Sequence, residues 1–205
     1  MPDRISDNQG RRLIALARQT IAQDLGLCKS HGVQDGTCAA AGTCDDAGIC
    51  DNGLLHEKRG LFVSLHKQGQ LRGCIGTIEP VSSVQEALLE NARAAAFRDS
   101  RFAPLKQDEF DDVDIEISIL SPPRVLEYED SEQLSRLLVP NRDGVVLKKG
   151  MRRATFLPQV WEQLPIVAQF LSHLCMKADL PSDAWQTGPL EISVYQVQSF
   201  GENNS

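Results

Sequence analysis

The stretch Leu61–Thr77 reads LFVSLHKQGQLRGCIGT. Leu61, Val63 and Leu65 alternate with Phe62, Ser64 and His66, the period-two pattern of a strand with one buried face. Gln68-Gly69 supplies a two-residue turn, and Leu71 to Glu79 returns as a second strand that Pro80 ends. A hairpin closed this tightly is antiparallel. If the turn alone sets the register, Val63 lies opposite Cys74, Leu65 opposite Arg72, and His66 points to the other face. A slip of one residue puts Ser64 or Phe62 opposite Cys74 and turns His66 toward it.

Outward from the hairpin, helices and strands continue to alternate. Ser6 with Gln9 predicts a capping box ahead of a helix from about Arg11 to Leu25, whose apolar stripe is Ile14, Ala17, Ile21 and Leu25. Ser83 with Glu86 predicts a second box, for a helix reaching about Asp99. Val113, Ile115, Ile117 and Ile119 face one way in a strand that Pro122-Pro123 stops, with Asp114, Glu116 and Ser118 on its polar side. A short helix over Ser131–Leu138, a hairpin turning at Lys149-Gly150, a helix carrying Phe170, Leu171 and Leu174, and a last strand at Ile192–Tyr195 complete the chain. Helices alternate with hairpins rather than with single strands, which predicts an α+β fold with a largely antiparallel sheet and packed helices. No internal repeat or long linker divides residues 1–205. A larger subdomain of about 1–124 with 159–205 and a smaller lobe of about 125–158 are expected, with a cleft between them as the default place for a site. Residues 26–53 are an irregular Cys-rich insertion.

Composition bounds the class. A chain of 205 residues buries about 70% of its unfolded surface on folding, enough for a core without staples. No apolar run approaches the ~20 residues of a membrane span, and the start opens into polar sequence without a signal-like apolar segment, so a cytoplasmic protein is expected. Twenty-one basic against 28 acidic residues leave a net charge of −7, a poor balance for nucleic-acid binding and for anionic membranes.

Five blocks recur in an order that carries a resemblance: LRGCIGT at Leu71–Thr77, AAAFRDSRFAPL at Ala94–Leu105, IEISILSPP at Ile115–Pro123, ATFLPQVW at Ala154–Trp161 and FLSHLCMKADLP at Phe170–Pro181. Together they resemble the AMMECR family, named after a chromosomal region linked to Alport syndrome, midface hypoplasia, intellectual disability and elliptocytosis. The resemblance covers roughly Arg59 to Phe200. It implies an α+β fold with a larger and a smaller subdomain, and the company of Memo-like and radical SAM proteins as partners. It brings no established activity with it. The chain lacks the CxxxCxxC signature of a radical SAM enzyme, so radical chemistry belongs to another protein. Four cysteines at 26–53 depart from the family pattern.

Four constellations bear chemistry-capable residues. Cys74 stands between Gly73 and Gly76 with Arg72 two residues before it. The functional reading makes Cys74 a nucleophile or ligand, with Arg72 as anion anchor beside Gly73; the bland one is a packed thiol among glycines that allow close packing. No base for Cys74 is evident among His56, His66 and His173. Glu116 and Ser118, with Asn91, Asp99 and Arg101, form a second group that would supply a carboxylate base and hydrogen-bond donors, or else a solvated strand face with a capped helix end. Lys148, Lys149, Arg152 and Arg153 are four bases in six residues and read best as an exposed hairpin tip. The fourth, Cys28, Cys38, Cys44 and Cys50, has spacings unlike the paired cysteines of structural zinc sites, and a loop with free thiols is favoured over a metal site. The acidic run Asp108–Asp114 fits no cation-binding loop. No cofactor is expected. Two readings stand: a small accessory enzyme or substrate-binding subunit centred on Cys74, Arg72 and Glu116, and a non-catalytic protein-interaction module in which LRGCIG is framework.

Overall fold

Two serines start the two long helices. In this computed structural model, which describes residues 4–27 and 53–202, Ser6 caps α1 (Asp7–Asp24) and Ser83 caps α2 (Val84–Phe97). In each case the serine hydroxyl accepts from the backbone N–H three residues on, while Gln9 or Glu86 reaches back to the serine N–H. Helix α1 therefore begins four residues earlier than its apolar stripe alone indicates.

The hairpin forms as read, with one change that matters. Gln68 and Gly69 have φ of 52° and 75°, the left-handed pair of a tight hairpin turn, and join β1 (Leu61–Lys67) to β2 (Gln70–Thr77). From the turn, Lys67 pairs with Gln70 and His66 with Leu71. Leu65 then pairs with Gly73, leaving Arg72 as the extra residue of a β-bulge, and Ser64 falls opposite Cys74. The slipped register thus holds, and the bulge produces it.

Two four-stranded antiparallel sheets follow. The first has the order β2-β1-β3-β8, with β3 over Val113–Leu120 and β8 over Val197–Gly201. Its inner face carries Leu61, Val63, Leu65, Ile115, Ile117 and Ile119, which bury against Leu13, Ile14, Ala17 and Ile21 of α1 and Leu88, Ala92 and Ala95 of α2. The second sheet has the order β4-β7-β5-β6, built from Arg124–Val125 (β4), Gly144–Lys149 (β5), Arg152–Phe156 (β6) and Glu191–Tyr195 (β7). Its core joins Val145, Leu147, Ile192 and Val194 to Leu134 of α3 (Ser131–Leu137) and to Phe170, Leu171, Leu174 and Cys175 of α4 (Val167–Lys177). Trp161 stacks on Phe170 with centroids 3.6 Å apart and donates to the Asp143 carbonyl at 2.7 Å. The short helix α5 (Ala184–Thr187) adds Trp185.

The chain accordingly divides into a first unit, up to Ile119 and again from Gln198, and a second, Leu120–Val197. The second unit is larger than the expected lobe of 125–158. The apolar stripe of α4 finds its partners on β5 and β7, so residues 159–197 belong with that lobe. Strand β8 is an element the sequence pattern does not announce, because Phe200 is its single large apolar residue after Val197. No described helix is long and apolar enough to cross a membrane.

Helix α2 meets β2 backbone to backbone. A Cβ at Gly73 would stand 2.2 Å from the Ala95 carbonyl oxygen, and neither partner is a flexible side chain. Gly73→Ala is expected to cost about 2–3 kcal/mol, lowering the melting temperature by roughly 5–10 °C. Gly53→Ala, where no described residue lies within 4 Å, should stay within about 0.5 kcal/mol of the parent protein in the same thermal melts.

Candidate functional site

The bulge decides which face of the first sheet each candidate occupies. Without it, Cys74 would share the Val63 face and point into the core. With it, Cys74 lies on the outer face, where Ser64 is its cross-strand partner on one side and Glu116 is Ser64's partner on the other. The Ser64 hydroxyl donates to Cys74 Sγ at 3.2 Å. One rung therefore carries thiol, hydroxyl and carboxylate across three strands. The neighbouring rung holds Gly76, Phe62 and Ser118, with the Phe62 ring over Gly76 and Ser118 Oγ 2.9 Å from Ser199 Oγ. His66 is one rung along in the other direction, paired with Leu71 and Asp114. Cys74, Ser64, Glu116, Ser118 and His66 are all half-buried.

Cys74 is held through its backbone. Strand β2 is a sheet edge, and the Cys74 N–H and C=O point away from β1. The N–H donates to Asp99 Oδ2 at 2.9 Å, and the carbonyl accepts from Arg101 Nη2 at 3.1 Å. Asp99 and Arg101 are themselves joined at 2.6 Å, so the pair acts as one piece of partner strand. The Arg101 guanidinium, and after it the N–H groups of Cys74 and Arg101, hold the Asp99 carboxyl well below the usual carboxylate range. Reciprocally, Asp99 raises Arg101, and interaction with Cys74 adds to that. A cation and a hydroxyl donor thus flank a partly exposed thiol, the surroundings in which reactive cysteines are found.

Other predicted site residues lie elsewhere. The bulge re-aims Arg72: its Nη2 donates to Glu109 at 3.1 Å, and Lys67 donates to the same carboxylate at 3.1 Å. Arg72 Nε and Nη2 engage that carboxylate, while its buried Nη1 has no hydrogen-bond partner among the described residues. Hydrogen bonds from Arg72 and then Lys67 bring Glu109 down to about 2. The close approach of the Ala95 carbonyl requires a glycine at position 73. Asn91 is buried on the helix side of the sheet and donates to the Leu61 carbonyl at 3.0 Å, away from Cys74 and Glu116. His56 and His173 are exposed. Lys148 pairs with Glu191 and Arg152 donates to the Asp179 carbonyl, while Met151 stands fully exposed at the hairpin tip. Cys28, Cys38, Cys44 and Cys50 lie outside the described residues. Among the described residues no three His, Cys, Asp or Glu side chains gather as a metal site. Sequence reasoning missed Ser199 as a neighbour of the site, and the backbone grip of Asp99 and Arg101. Ser64 was accessible through the slipped register; the grip joins residues 25 positions apart and leaves no local signal.

Comparison with known proteins agrees with this architecture. A family model described as AMMECR1 matches residues 14–200. A protein of Methanothermobacter thermautotrophicus is 35% identical over 204 residues, covering 97% of both chains. One from Methanopyrus kandleri is 34% identical over 210 residues, 98% of this chain and 92% of its own. The crystal structure of an uncharacterised protein from Pyrococcus horikoshii superposes with a TM-score of 0.69 at 30% identity, covering 97% of this chain and 94% of that one.

Removing Glu109 leaves Arg72 without its counter-charge. Glu109→Ala is expected to cost about 1–2 kcal/mol at pH 7. The carboxyl's value falls on folding from an ordinary 4.5 to about 2. Its stabilisation is therefore complete above pH 4.5 and is lost as pH falls through 2. Urea titrations of parent and variant between pH 7 and pH 2 should show the difference shrinking across that window; a constant difference would contradict the pairing.

Proposed function

The chain belongs to the AMMECR1 family, and on that premise we propose that the outer face of its first sheet is a thiol-bearing substrate site. Cys74 serves there as nucleophile or ligand and Glu116 as the carboxylate addressing the same substrate. The protein is then a small cytoplasmic accessory enzyme or substrate-binding subunit that works with Memo-like and radical SAM partners, which supply any radical chemistry. The observation that carries this reading is the contrast between its two described cysteines. Cys74 presents a half-buried thiol flanked by Ser64 and Arg101, whereas Cys175 is sealed in the second core, where burial pushes its thiol up.

Spacing defines the division of labour. Adjacent strands run about 4.8 Å apart, so Cys74 and Glu116, two strands apart on one rung, are separated by roughly 10 Å. That is too far for direct proton transfer between them and suits a small substrate lying across Ser64. Arg101, held in place by Asp99, keeps a positive charge next to the sulfur without a ligand having to organise it. The interaction-module reading draws on a different observation: Gly73 and Gly76 are both accounted for by packing, against Ala95 and Phe62. The glycines of LRGCIG thus belong to the framework, and the proposal rests on the thiol, its neighbours and Glu116.

Alkylation of the folded protein separates the two readings. With iodoacetamide at neutral pH and peptide mass spectrometry, Cys74 should react at least tenfold faster than Cys175. Arg101→Met should slow Cys74 several-fold, while Glu116→Gln should leave its rate unchanged because Glu116 faces the substrate rather than the sulfur. Equal protection of Cys74 and Cys175 would end the thiol-site reading and favour the framework role.

A further inference from the structure

The first sheet has two edges, and they are treated differently. On β2, Asp99 and Arg101 occupy the outward backbone groups of Cys74. Among the described residues the outward backbone groups of β8 have no such cover; the Gln198 side chain instead accepts from the Ile5 N–H at 3.0 Å and donates to the Ile5 carbonyl at 2.6 Å, which seats the start of the chain beside this strand. The Glu202 N–H donates to the Ile115 carbonyl at 3.2 Å, so by alternation Phe200 turns its backbone groups toward β3, and Ser199 and Gly201 turn theirs outward. Among the described residues no turn or loop hydrogen bond reaches those outward groups. An uncovered edge is a template for another strand.

Beside that edge lies a hollow of about 500 Å³, bounded by Asp7, Arg11 and Ile14 of α1 and by Ser199–Glu202. Its floor is apolar, from Ile14 and Phe200. Glu202 is already spent, paired with Arg18 at 2.5 Å. The charges left over are Asp7 and Arg11, one turn apart on the first part of α1, and among the described residues neither has an ion-pair partner. Opposite charges spaced along one helix and without an ion-pair partner among the described residues are self-complementary: an antiparallel copy of the same turn presents Arg11 to Asp7 and Asp7 to Arg11.

The geometry points to β8 as a homodimer edge, with a second copy of this chain as the occupant. A twofold axis normal to the sheet beside Ser199 and Gly201 pairs the two β8 strands antiparallel and extends one four-stranded sheet into eight strands. The same axis keeps both helix layers on one side and brings the first turns of the two α1 helices together antiparallel, so that each Asp7 meets the other copy's Arg11. Main-chain bonds supply the pairing and the charges set its register and partner. A five-residue edge makes a modest interface, so the association is reversible and concentration-dependent.

Sedimentation velocity on the full chain from about 1 to 500 µM tests this. A monomer–dimer equilibrium is expected. Ser199→Pro removes an outward N–H that β3 does not use, and should raise the dimer dissociation constant at least tenfold with an unchanged melting temperature. Arg11→Asp, at an exposed position, should weaken the dimer similarly, and it keeps the test decisive if the proline variant does not fold. The double variant Asp7→Arg/Arg11→Asp restores complementarity and should return the constant to within about threefold of the parent. A chain that stays monomeric at the highest concentration overturns the proposal, whether or not an extended peptide from another protein pairs with the edge. So does a dimer indifferent to Arg11→Asp.

Discussion

Strand β2 can carry α2 at the observed distance because Gly73 has no side chain. The Ala95 carbonyl lies where a Cβ would be, so the face of β2 bearing Gly73 must be the inner one. The two-residue turn at Gln68-Gly69 fixes the pairing of the first two residue pairs in the opposite parity. The bulge at Arg72 reconciles these demands. It ejects one residue from the ladder and turns Gly73 inward, Cys74 outward and Arg72 aside to Glu109. The chemical character of the outer face thus follows from a packing requirement on the inner face.

Because β2 is an edge, the residue turned outward also turns its backbone groups outward, and these need partners. The loop after α2 returns past the edge, and Asp99 and Arg101 provide an acceptor and a donor at the spacing of a paired strand. This does two things at once. It blunts an edge that would otherwise recruit another strand, and it fixes the backbone from which the thiol projects. The opposite edge, β8, receives no comparable backbone cover from the described residues, so the two edges of the sheet differ.

Much of this was legible in the sequence wherever local physics decides. Ser6 with Gln9 and Ser83 with Glu86 announced both long helices, and the alternation of Val113–Leu120 announced the central strand and its polar face. The largely antiparallel pairing followed from the tight turns, though not its division into two sheets. What stayed hidden depends on contacts distant in sequence. The hairpin register was readable only as two alternatives, because the choice between them lies with Ala95 on a later helix. Asn91 and Arg72 stand out by residue type alone; that they bond to Leu61 and Glu109 depends on contacts 30 and 37 positions away. The second unit exceeded its expected bounds because α4 could have packed on either sheet, and its stripe of Phe170, Leu171 and Leu174 does not name its partner. Strand β8, with Gln198 and Ser199 flanking Phe200, has too little alternation to stand out.

The claim on which this account turns is that Asp99 and Arg101 grip the backbone of Cys74 and so hold the thiol on the outer face. Hydrogen exchange at the Cys74 amide, followed by NMR on the parent protein and on Asp99→Ala, measures that grip directly. The account predicts a Cys74 amide protected in the parent to a degree no other outward amide of β2 reaches, with that protection lost in Asp99→Ala while Gly73 and Ile75, bonded to β1, remain protected. A Cys74 amide that exchanges in the parent as fast as an open strand edge, or that keeps its protection without Asp99, would contradict it.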